Sequence, residues 1–107
     1  MIKKAGINVS PAEVEEILLQ HPAVAQAAVV GVPDRAKGEL VVAFVVTATG
    51  AKVESRDLLE HCRSLASKYK VPDRIELCSS LPLTSTGKLQ RRELKETATS
   101  LVARGRE

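Results

Sequence analysis

The sequence contains very few aromatic residues: one tyrosine, one phenylalanine and no tryptophan in 107 residues. Phe44 and Tyr69 alone cannot build the stacked aromatic platform that single-stranded nucleic acids need, nor a cage of rings around a quaternary ammonium group. Cysteine is equally scarce, and Cys62 and Cys78 have neither CxxC spacing nor the density of a disulfide framework. We therefore expect two reduced, buried thiols in a cytoplasmic protein.

Long hydrophobic runs and a strong net charge are also missing. No apolar run approaches the roughly 20 residues of a membrane span, and the first residues lack the pattern of a signal peptide. The net charge is only +3, and much of the excess lies between residues 88 and 95, where Glu93 interrupts the cations. This pattern is typical of a solvated helix face. Nucleic-acid binding has only this cluster in its favour, so we expect neither a nucleic-acid partner nor a membrane span.

The overall composition is that of an ordinary globular domain, with 44% hydrophobic and 27% charged residues. A chain of this length can bury a core but is short for most enzymes that act on two substrates. We expect one domain, residues 1–107, and a module rather than a complete catalyst.

The first residues predict a hairpin followed by a helix. Ile2-Lys3 and Ile7-Asn8-Val9 flank Ala5-Gly6, where the glycine can take the positive φ of a tight turn. A serine N-cap, a proline at the first helical position and a glutamate three residues after the serine predict a capping box in Ser10-Pro11-Ala12-Glu13. The helix should begin there and end at His21-Pro22, because proline disfavours helical geometry in the residue before it. A lone histidine is more often structural than a metal ligand, so His21 is given no role.

The middle of the chain predicts two buried strands and a second helix. Residues 23–32 and 40–46 are apolar on both alternating faces, which favours a hairpin of buried strands. Ser55 should cap a helix whose apolar residues recur on one face.

The last third predicts a strand and a helix on either side of a polar loop. Arg74–Cys78 alternates as a short strand with Ile75 and Leu77 facing inward. The helix should start at about Leu89 or Gln90 and fray over residues 104–107; its apolar side consists of Leu94, Ala98, Leu101 and Val102. Together, the predicted elements indicate an α+β fold, in which a small, mainly antiparallel sheet is covered by about three helices. The first two helices should lie on the sheet, and an N-terminal β-hairpin should precede it.

The polar loop ends in a lysine. Proline, three hydroxyl residues and a glycine precede Lys88, which predicts a solvent-facing loop with the lysine at its tip. A phosphate-binding P-loop is excluded, since it needs glycine where Pro82 stands and serine or threonine where Leu89 stands. Residue types alone favour an ordinary exposed lysine at a helix start. The alternative is a flexible cation that reaches a carboxylate or phosphate outside the chain.

Two segments carry a resemblance to a known family. The run from Leu81 to Leu94, Leu-Pro-x-Thr-x-Thr-Gly-Lys-x-x-Arg-Arg-x-Leu, resembles the C-terminal signature of the adenylate-forming (AMP-binding) acyl-CoA synthetase/ligase superfamily. The segment Ile2–Glu15 resembles the glycine-bearing hairpin that opens the small C-terminal domain of the same family. Shorter motifs between them fall in the family's order, so the resemblance extends from Ile2 to about Glu96.

The resemblance implies an enzyme that uses ATP to activate a carboxylic acid as an acyl-adenylate and then passes the acyl group to coenzyme A, with Mg²⁺ in the complete enzyme. Lys88 would be the lysine of the adenylation step, in a loop supported by Thr86 and Gly87. No metal site is expected on this chain itself.

The resemblance also implies a binding role for the opening hairpin. Lys4, Ala5 and Gly6 would line the channel for the thiol arm of coenzyme A, and Arg63 would meet a coenzyme A phosphate. An ordinary tight turn accounts equally well for Lys4 taken alone. Many members of the family carry glycine or serine where Ala5 stands.

The partner that the resemblance implies is the family's large N-terminal domain, which holds the ATP and acyl pockets and is not contained in this chain. We therefore expect the isolated domain to be an inactive monomer that binds neither ATP nor coenzyme A tightly. Two alternatives stay open: a domain that serves the phosphopantetheine of a carrier protein, and a non-catalytic interaction module.

Overall fold

The computed structural model of the protein describes residues 1–105, which form an α+β fold as predicted. These residues contain five strands and three α-helices, with a 3₁₀ turn at Lys68–Lys70 before the fifth strand. In chain order the elements are β1 Ile2–Lys4, β2 Ile7–Val9, α1 Pro11–Leu19, β3 Val24–Asp34, β4 Gly38–Thr47, α2 Ser55–Leu65, β5 Arg74–Cys78 and α3 Arg91–Gly105.

The five strands belong to one sheet, and β4 is its central strand. The order is β2-β1-β4-β3, and β5 lies parallel to β4 while all other pairs are antiparallel. β1 meets β4 at the pair Lys4–Gly38, at the very start of β4. The predicted hairpin of two buried strands is confirmed as β3 and β4, with a bulge between Val24 and Gln26.

Both faces of the sheet are covered, which explains why β4 is apolar at every position of its centre. Val41, Ala43 and Val45 face α1 and α2, whereas Val42 and Phe44 face α3. The prediction that the first two helices cover the sheet is confirmed, and α3 covers the opposite face. The α3 side chains in that second core are Leu94 and Ala98, with Leu101 and Val102 packed against them as predicted.

The helix starts differ from the predicted caps in detail. Ser10 Oγ accepts the Glu13 N–H at 3.4 Å, as a serine N-cap does. The Glu13 carboxylate, however, accepts a hydrogen bond from Lys70 Nζ at 2.6 Å. The expected capping box is therefore only half formed, because a distant ammonium competes for the glutamate.

The predicted N-cap of the second helix is wrong. Glu54 is the N-cap of α2, and its N–H donates to the Asp57 carboxylate at 2.9 Å. The Ser55 hydroxyl instead donates to the Ile75 carbonyl at 2.9 Å, because β5 lies beside the helix start. Ser55 thus links α2 to the sheet.

The strand β5 matches its predicted bounds, but one of its two inward residues is wrong. Ile75 belongs to the core beneath α2, whereas Leu77 is 38% exposed at the edge of the sheet. The last helix begins at Arg91, because Leu89 pairs with Leu83 in a short bridge that delays the helix. α3 continues through Gly105, and the fraying expected for residues 106 and 107 lies outside the described residues. Within residues 1–105, none of the helices has the length and hydrophobicity for a membrane crossing.

Candidate functional site

The turn between β1 and β2 has an unusual backbone. Ala5 has a φ of 52° and Gly6 a φ of +80°, so both central residues lie in the left-handed region that a type I′ hairpin turn requires. An alanine in this region costs about 1–2 kcal/mol. A Cβ added to Gly6 would meet no atom of the described residues within 4 Å, so backbone conformation and not crowding favours glycine there.

Long-range hydrogen bonds hold this turn against the rest of the domain. The Ala5 N–H donates to the Lys37 carbonyl at 2.7 Å, in the connection between β3 and β4. The Lys3 N–H donates to the Glu39 Oε1 at 2.9 Å. These bonds hold the turn from both the strand and its tip, and so help to offset the backbone strain at Ala5.

The side chain of Lys4 is turned into the domain. Lys4 is 7% exposed, and its Nζ lies 3.1 Å from Asp73 Oδ1 and donates to the Val71 carbonyl at 3.2 Å. Asp73 Oδ2 accepts the Val41 N–H at 2.8 Å, and Lys37 Nζ lies 3.6 Å from Asp73 Oδ1. Asp73 thereby joins the hairpin, the central strand and the connection before β5.

A cavity of about 510 Å³ lies next to this junction. Its walls come from the Ala5 turn, the β3–β4 connection, α2 and the 3₁₀ turn, elements that are far apart in the sequence. Three of the predicted site residues, Lys4, Ala5 and Arg63, come together in it, while Gly6 is not part of its lining. The other lining residues are Lys37, Leu59, Lys68, Tyr69, Val71, Pro72 and Asp73.

The rim of the cavity is basic and carries an aromatic ring. The Lys37 and Arg63 side chains are 49% and 59% exposed. Arg63 Nη1 lies 2.6 Å from Glu60 Oε1, but an exposed pair of this kind is easily exchanged for another anion. Lys68 Nζ lies 5.2 Å from the centre of the Tyr69 ring. The arrangement suits an anionic ligand with a flat ring.

No binding role was expected from the sequence for Lys37, Lys68 or Tyr69. The tyrosine offered a signal, since it is the only one in a chain with so few aromatic rings and lysines flank it on both sides. Lys37 offered none, because its place in the cavity depends on the hydrogen bond from Ala5.

The Lys88 loop is a hairpin whose hydrogen bonds run between its own residues. The Thr84 N–H donates to the Lys88 carbonyl at 2.7 Å, and the Lys88 N–H donates to Thr84 Oγ1 at 3.0 Å. The Gly87 N–H donates to the Thr84 carbonyl at 2.9 Å, and Gly87 has a φ of +84°. Thr84 Oγ1 and Thr86 Oγ1 share a hydrogen bond of 2.9 Å. Thr86 and Gly87 thus shape the turn that presents Lys88.

Lys88 itself is exposed. Among residues 1–105, no carboxylate lies within 4.0 Å of its ammonium group. The loop adjoins the α3 face of the sheet, where Leu81 and Leu89 pack against the core. The basic cavity borders α2 on the other face, so the structure brings Lys88 together with Thr86 and Gly87 but not with Lys4, Ala5 and Arg63.

The two thiols lie beneath these two regions. Cys62 is buried as predicted, and burial raises its pKa to about 11. Cys78 is only half-buried, so the expectation of a buried thiol is met only in part there; burial still raises its pKa. His21 Nδ1 accepts the Ala23 N–H at 3.0 Å. The described residues hold no group of three or more His, Cys, Asp or Glu side chains that could bind a metal ion.

Comparison with known proteins identifies the family. Residues 13–88 match the model of the AMP-binding enzyme C-terminal domain. The human acyl-coenzyme A synthetase ACSM1, mitochondrial, is 42% identical over 92% of this chain and 18% of its own length. Fatty acid--[acyl-carrier-protein] ligase ScoC of Streptomyces coeruleorubidus is 47% identical over 86% of this chain and 18% of its own.

A solved structure shows the same fold. ATP-bound MatB from Rhodopseudomonas palustris superposes with a TM-score of 0.90 at 32% identity, over 94% of this chain and 20% of its own. The chain therefore spans about a fifth of the length of the proteins it matches. It belongs to the AMP-binding enzyme C-terminal domain family.

Proposed function

We propose that this chain is the C-terminal domain of an ATP-dependent acyl-CoA synthetase. The reaction joins a carboxylic acid to ATP as an acyl-adenylate with release of pyrophosphate, and then transfers the acyl group to the thiol of coenzyme A with release of AMP. The observation that carries the proposal is the exposed Lys88 ammonium, which lies at the tip of a hydrogen-bonded loop without a carboxylate partner among residues 1–105.

Lys88 is proposed to act in the first half-reaction. When a carboxylate oxygen attacks the α-phosphate of ATP, two anions approach each other and charge builds on the phosphate oxygens. A positioned ammonium group offsets both effects. The large N-terminal domain would supply the ATP and acyl pockets, and Mg²⁺ would be held there and by the phosphates of ATP. The identity of the carboxylic acid would likewise depend on that domain.

The hairpin and the basic cavity are proposed to act in the second half-reaction. Backbone at Ala5 and Gly6 would run along the thin thiol arm of coenzyme A, since glycine leaves room for close approach. Arg63, Lys37 and Lys68 would meet the phosphates at the nucleotide end. Lys4 would act indirectly, by fixing the hairpin wall through Asp73.

The Tyr69 ring supplies the remaining contact of this proposal. It is 37% exposed at the rim of the cavity and would offer a face for the adenine of coenzyme A. A phosphopantetheine on a carrier protein lacks this nucleotide. The name of the ScoC relative includes an acyl-carrier-protein substrate, and the cationic rim is the feature that favours coenzyme A over that acceptor here.

One experiment separates the two acceptors. In the full-length protein, Arg63→Ala should raise the KM for coenzyme A on the order of 10-fold, since a hydrogen bond between charged groups contributes about 1.5–3 kcal/mol. The KM for pantetheine, which has no nucleotide, should stay within about twofold of the parental value. Equal effects on both acceptors would exclude the cavity as a nucleotide site, and absence of ATP-dependent thioester formation with any acceptor would favour the non-catalytic module.

The isolated chain is proposed to be an inactive monomer in the cytoplasm that binds ATP and coenzyme A only weakly. Each ligand would be enclosed only when the large domain supplies the facing surface. Calorimetry of the chain with ATP should therefore give no heat of binding at micromolar concentrations. Micromolar affinity would contradict a site shared between two domains.

A further inference from the structure

Arg91, three positions after Lys88, begins α3 and reaches across to two other elements. Its Nη1 donates to Glu15 Oε2 at 2.9 Å and to the Val29 carbonyl at 3.0 Å, and its Nη2 donates to Glu15 Oε1 at 3.3 Å. Glu15 Oε2 also accepts the Val29 N–H at 2.8 Å. The Glu15–Arg91 cluster, made of Glu15, Val29 and Arg91, thus joins α1, β3 and the start of α3.

This cluster differs from an ordinary surface ion pair. The Glu15 side chain is only 14% exposed, and both of its oxygens bind the same guanidinium group. A bidentate, charge-assisted pair fixes geometry as well as adding energy. The neighbouring pair of Arg92 and Glu96 provides the contrast: its atoms are 3.9 Å apart and its side chains are 95% and 74% exposed. Such a pair contributes little.

The cluster also fixes α3 to the main chain of the sheet. β3 is an outer strand, so its outward N–H and C=O groups have no strand partner within residues 1–105. At Val29 both groups are satisfied by side chains, the N–H by Glu15 and the carbonyl by Arg91. The start of α3 is therefore held to a rigid strand by directional bonds.

The Lys88 loop has two kinds of support. Its hydrogen bonds run between its own residues, from Pro82 to Gln90, and fix its shape. Leu81 and Leu89 pack against the core at its base, but such apolar contacts are not directional, so the directional bonds to the sheet come from Arg91. The buried stripe of α3 begins only at Leu94, one turn after Arg91. Arg91 holds the first turn of α3. Since the tip lies on the order of 10 Å from Arg91 in chain length, a tilt of about 10° would move the ammonium group by about 1–2 Å, enough to lower a reaction rate on the order of 100-fold.

We propose that the Glu15–Arg91 cluster sets the direction of the Lys88 loop, and that Arg91 is a positioning residue for adenylate formation. This inference rests on the proposed function, because it assumes that Lys88 enters the adenylation site. It predicts a defect confined to that half-reaction, since the cluster does not line the cavity on the other face.

The test uses the full-length protein with three variants: Arg91→Ala, Arg91→Lys and the matched control Arg92→Ala. Arg91→Ala should lower kcat for adenylate formation about 10- to 100-fold, while thioester formation from supplied acyl-adenylate stays within about twofold of the parental rate. Arg91→Lys should recover part of the loss, because lysine keeps the charge but cannot bind two oxygens in one plane. Arg92→Ala should behave as the parent. Parallel loss of both half-reactions in Arg91→Ala would mean a merely structural role and would overturn the inference.

A double variant separates this inference from the proposed function. If Arg91 acts through Lys88, Arg91→Ala should cause no further loss of adenylate formation in a Lys88→Ala background. Multiplied losses would overturn the positioning role. Loss in Lys88→Ala with a parental rate in Arg91→Ala would overturn this inference alone, whereas a parental rate in Lys88→Ala would overturn the proposed function as well.

Discussion

The Ala5–Gly6 turn and the Lys88 loop are both tight hairpins with a positive-φ glycine, yet they are held in opposite ways. The first is tied to distant parts of the chain, through bonds from Ala5 to Lys37 and from Lys4 to Asp73. The second is held by bonds among its own residues, such as those between Thr84 and Lys88. The first region therefore forms a wall of a preformed cavity, and the second presents one charged group to the outside.

The difference follows the chemistry proposed for each region. A cavity inside one chain needs walls from several elements, so its residues must be fixed across long sequence distances. A lysine that enters a site on another domain needs a rigid support and no competing partner, since an internal carboxylate would have to be displaced first.

The largest expected effect concerns the Lys88 loop. Lys88→Ala should lower the rate of adenylate formation in the full-length protein on the order of 10²–10³-fold, as loss of one charge-stabilising contact does. The free energy of unfolding of the chain should change by less than about 0.5 kcal/mol, because the side chain is exposed and makes no ion pair within residues 1–105. Single-turnover kinetics and urea unfolding give the two numbers. A stability loss of several kcal/mol would show that the loop supports the fold.

The next largest effect concerns the Ala5–Gly6 turn, and we expect it in the free energy of unfolding. Asp73→Asn should lower the free energy of unfolding by about 2–3 kcal/mol, because the buried Lys4 ammonium loses its counter-charge. The matched control is Glu96→Gln, which removes a carboxylate from an exposed pair and should have an effect below about 0.5 kcal/mol. Equal effects in urea unfolding would mean that the hairpin is not anchored at Asp73.

A smaller effect should distinguish backbone strain from ligand contact. Gly6 and Gly50 have φ values of +80° and +79°, and a Cβ at either would have no atom within 4 Å. Gly6→Val and Gly50→Val should therefore each destabilise the chain by about 1–2 kcal/mol. Thioester formation should be slowed only by Gly6→Val, with adenylate formation nearly intact in both. Equal half-reaction rates in the two variants would leave the hairpin a structural role only.

The smallest expected effect is on the pH dependence of the free energy of unfolding, to which the thiols of Cys62 and Cys78 contribute. Burial raises the pKa of Cys62 to about 11, so the unfolded chain loses this proton at lower pH than the folded chain. The free energy of unfolding should therefore fall as the pH rises from about 9 towards 11. Cys62→Ala should weaken this pH dependence more than Cys78→Ala, since Cys62 is 1% exposed and Cys78 is only half-buried. The free energy of unfolding of both variants is measured by urea unfolding at each pH. An equal pH dependence in the two variants would contradict the tighter packing of Cys62 next to the cavity.

Much of the fold could be predicted because its signals are local. The turn at Gly6, the helix start at Pro11 and the apolar runs of β3 and β4 are each determined by neighbouring residues. The errors have long-range causes. Ser55 is drawn to a carbonyl 20 positions away, and Leu77 is exposed because burial at a sheet edge depends on what packs there.

In the candidate site, too, features with local causes could be predicted and features with long-range causes could not. The Lys88 loop could be predicted from one continuous segment, and so could its exposure. The cavity could not, because Lys37 and Tyr69 reach it only through the folding of the whole chain. The inward direction of Lys4 has the same cause, since its partner Asp73 lies on the far side of α2 in the sequence.

If the Ala5–Gly6 turn with its cavity and the Lys88 loop serve different half-reactions, variants of the two regions should differ in the second half-reaction. Thioester formation from supplied acyl-adenylate is followed as a function of coenzyme A concentration in full-length Lys88→Ala and Arg63→Ala. The account predicts nearly parental kinetics for Lys88→Ala and a raised KM for coenzyme A in Arg63→Ala. Equal impairment of the two variants in this half-reaction would contradict it.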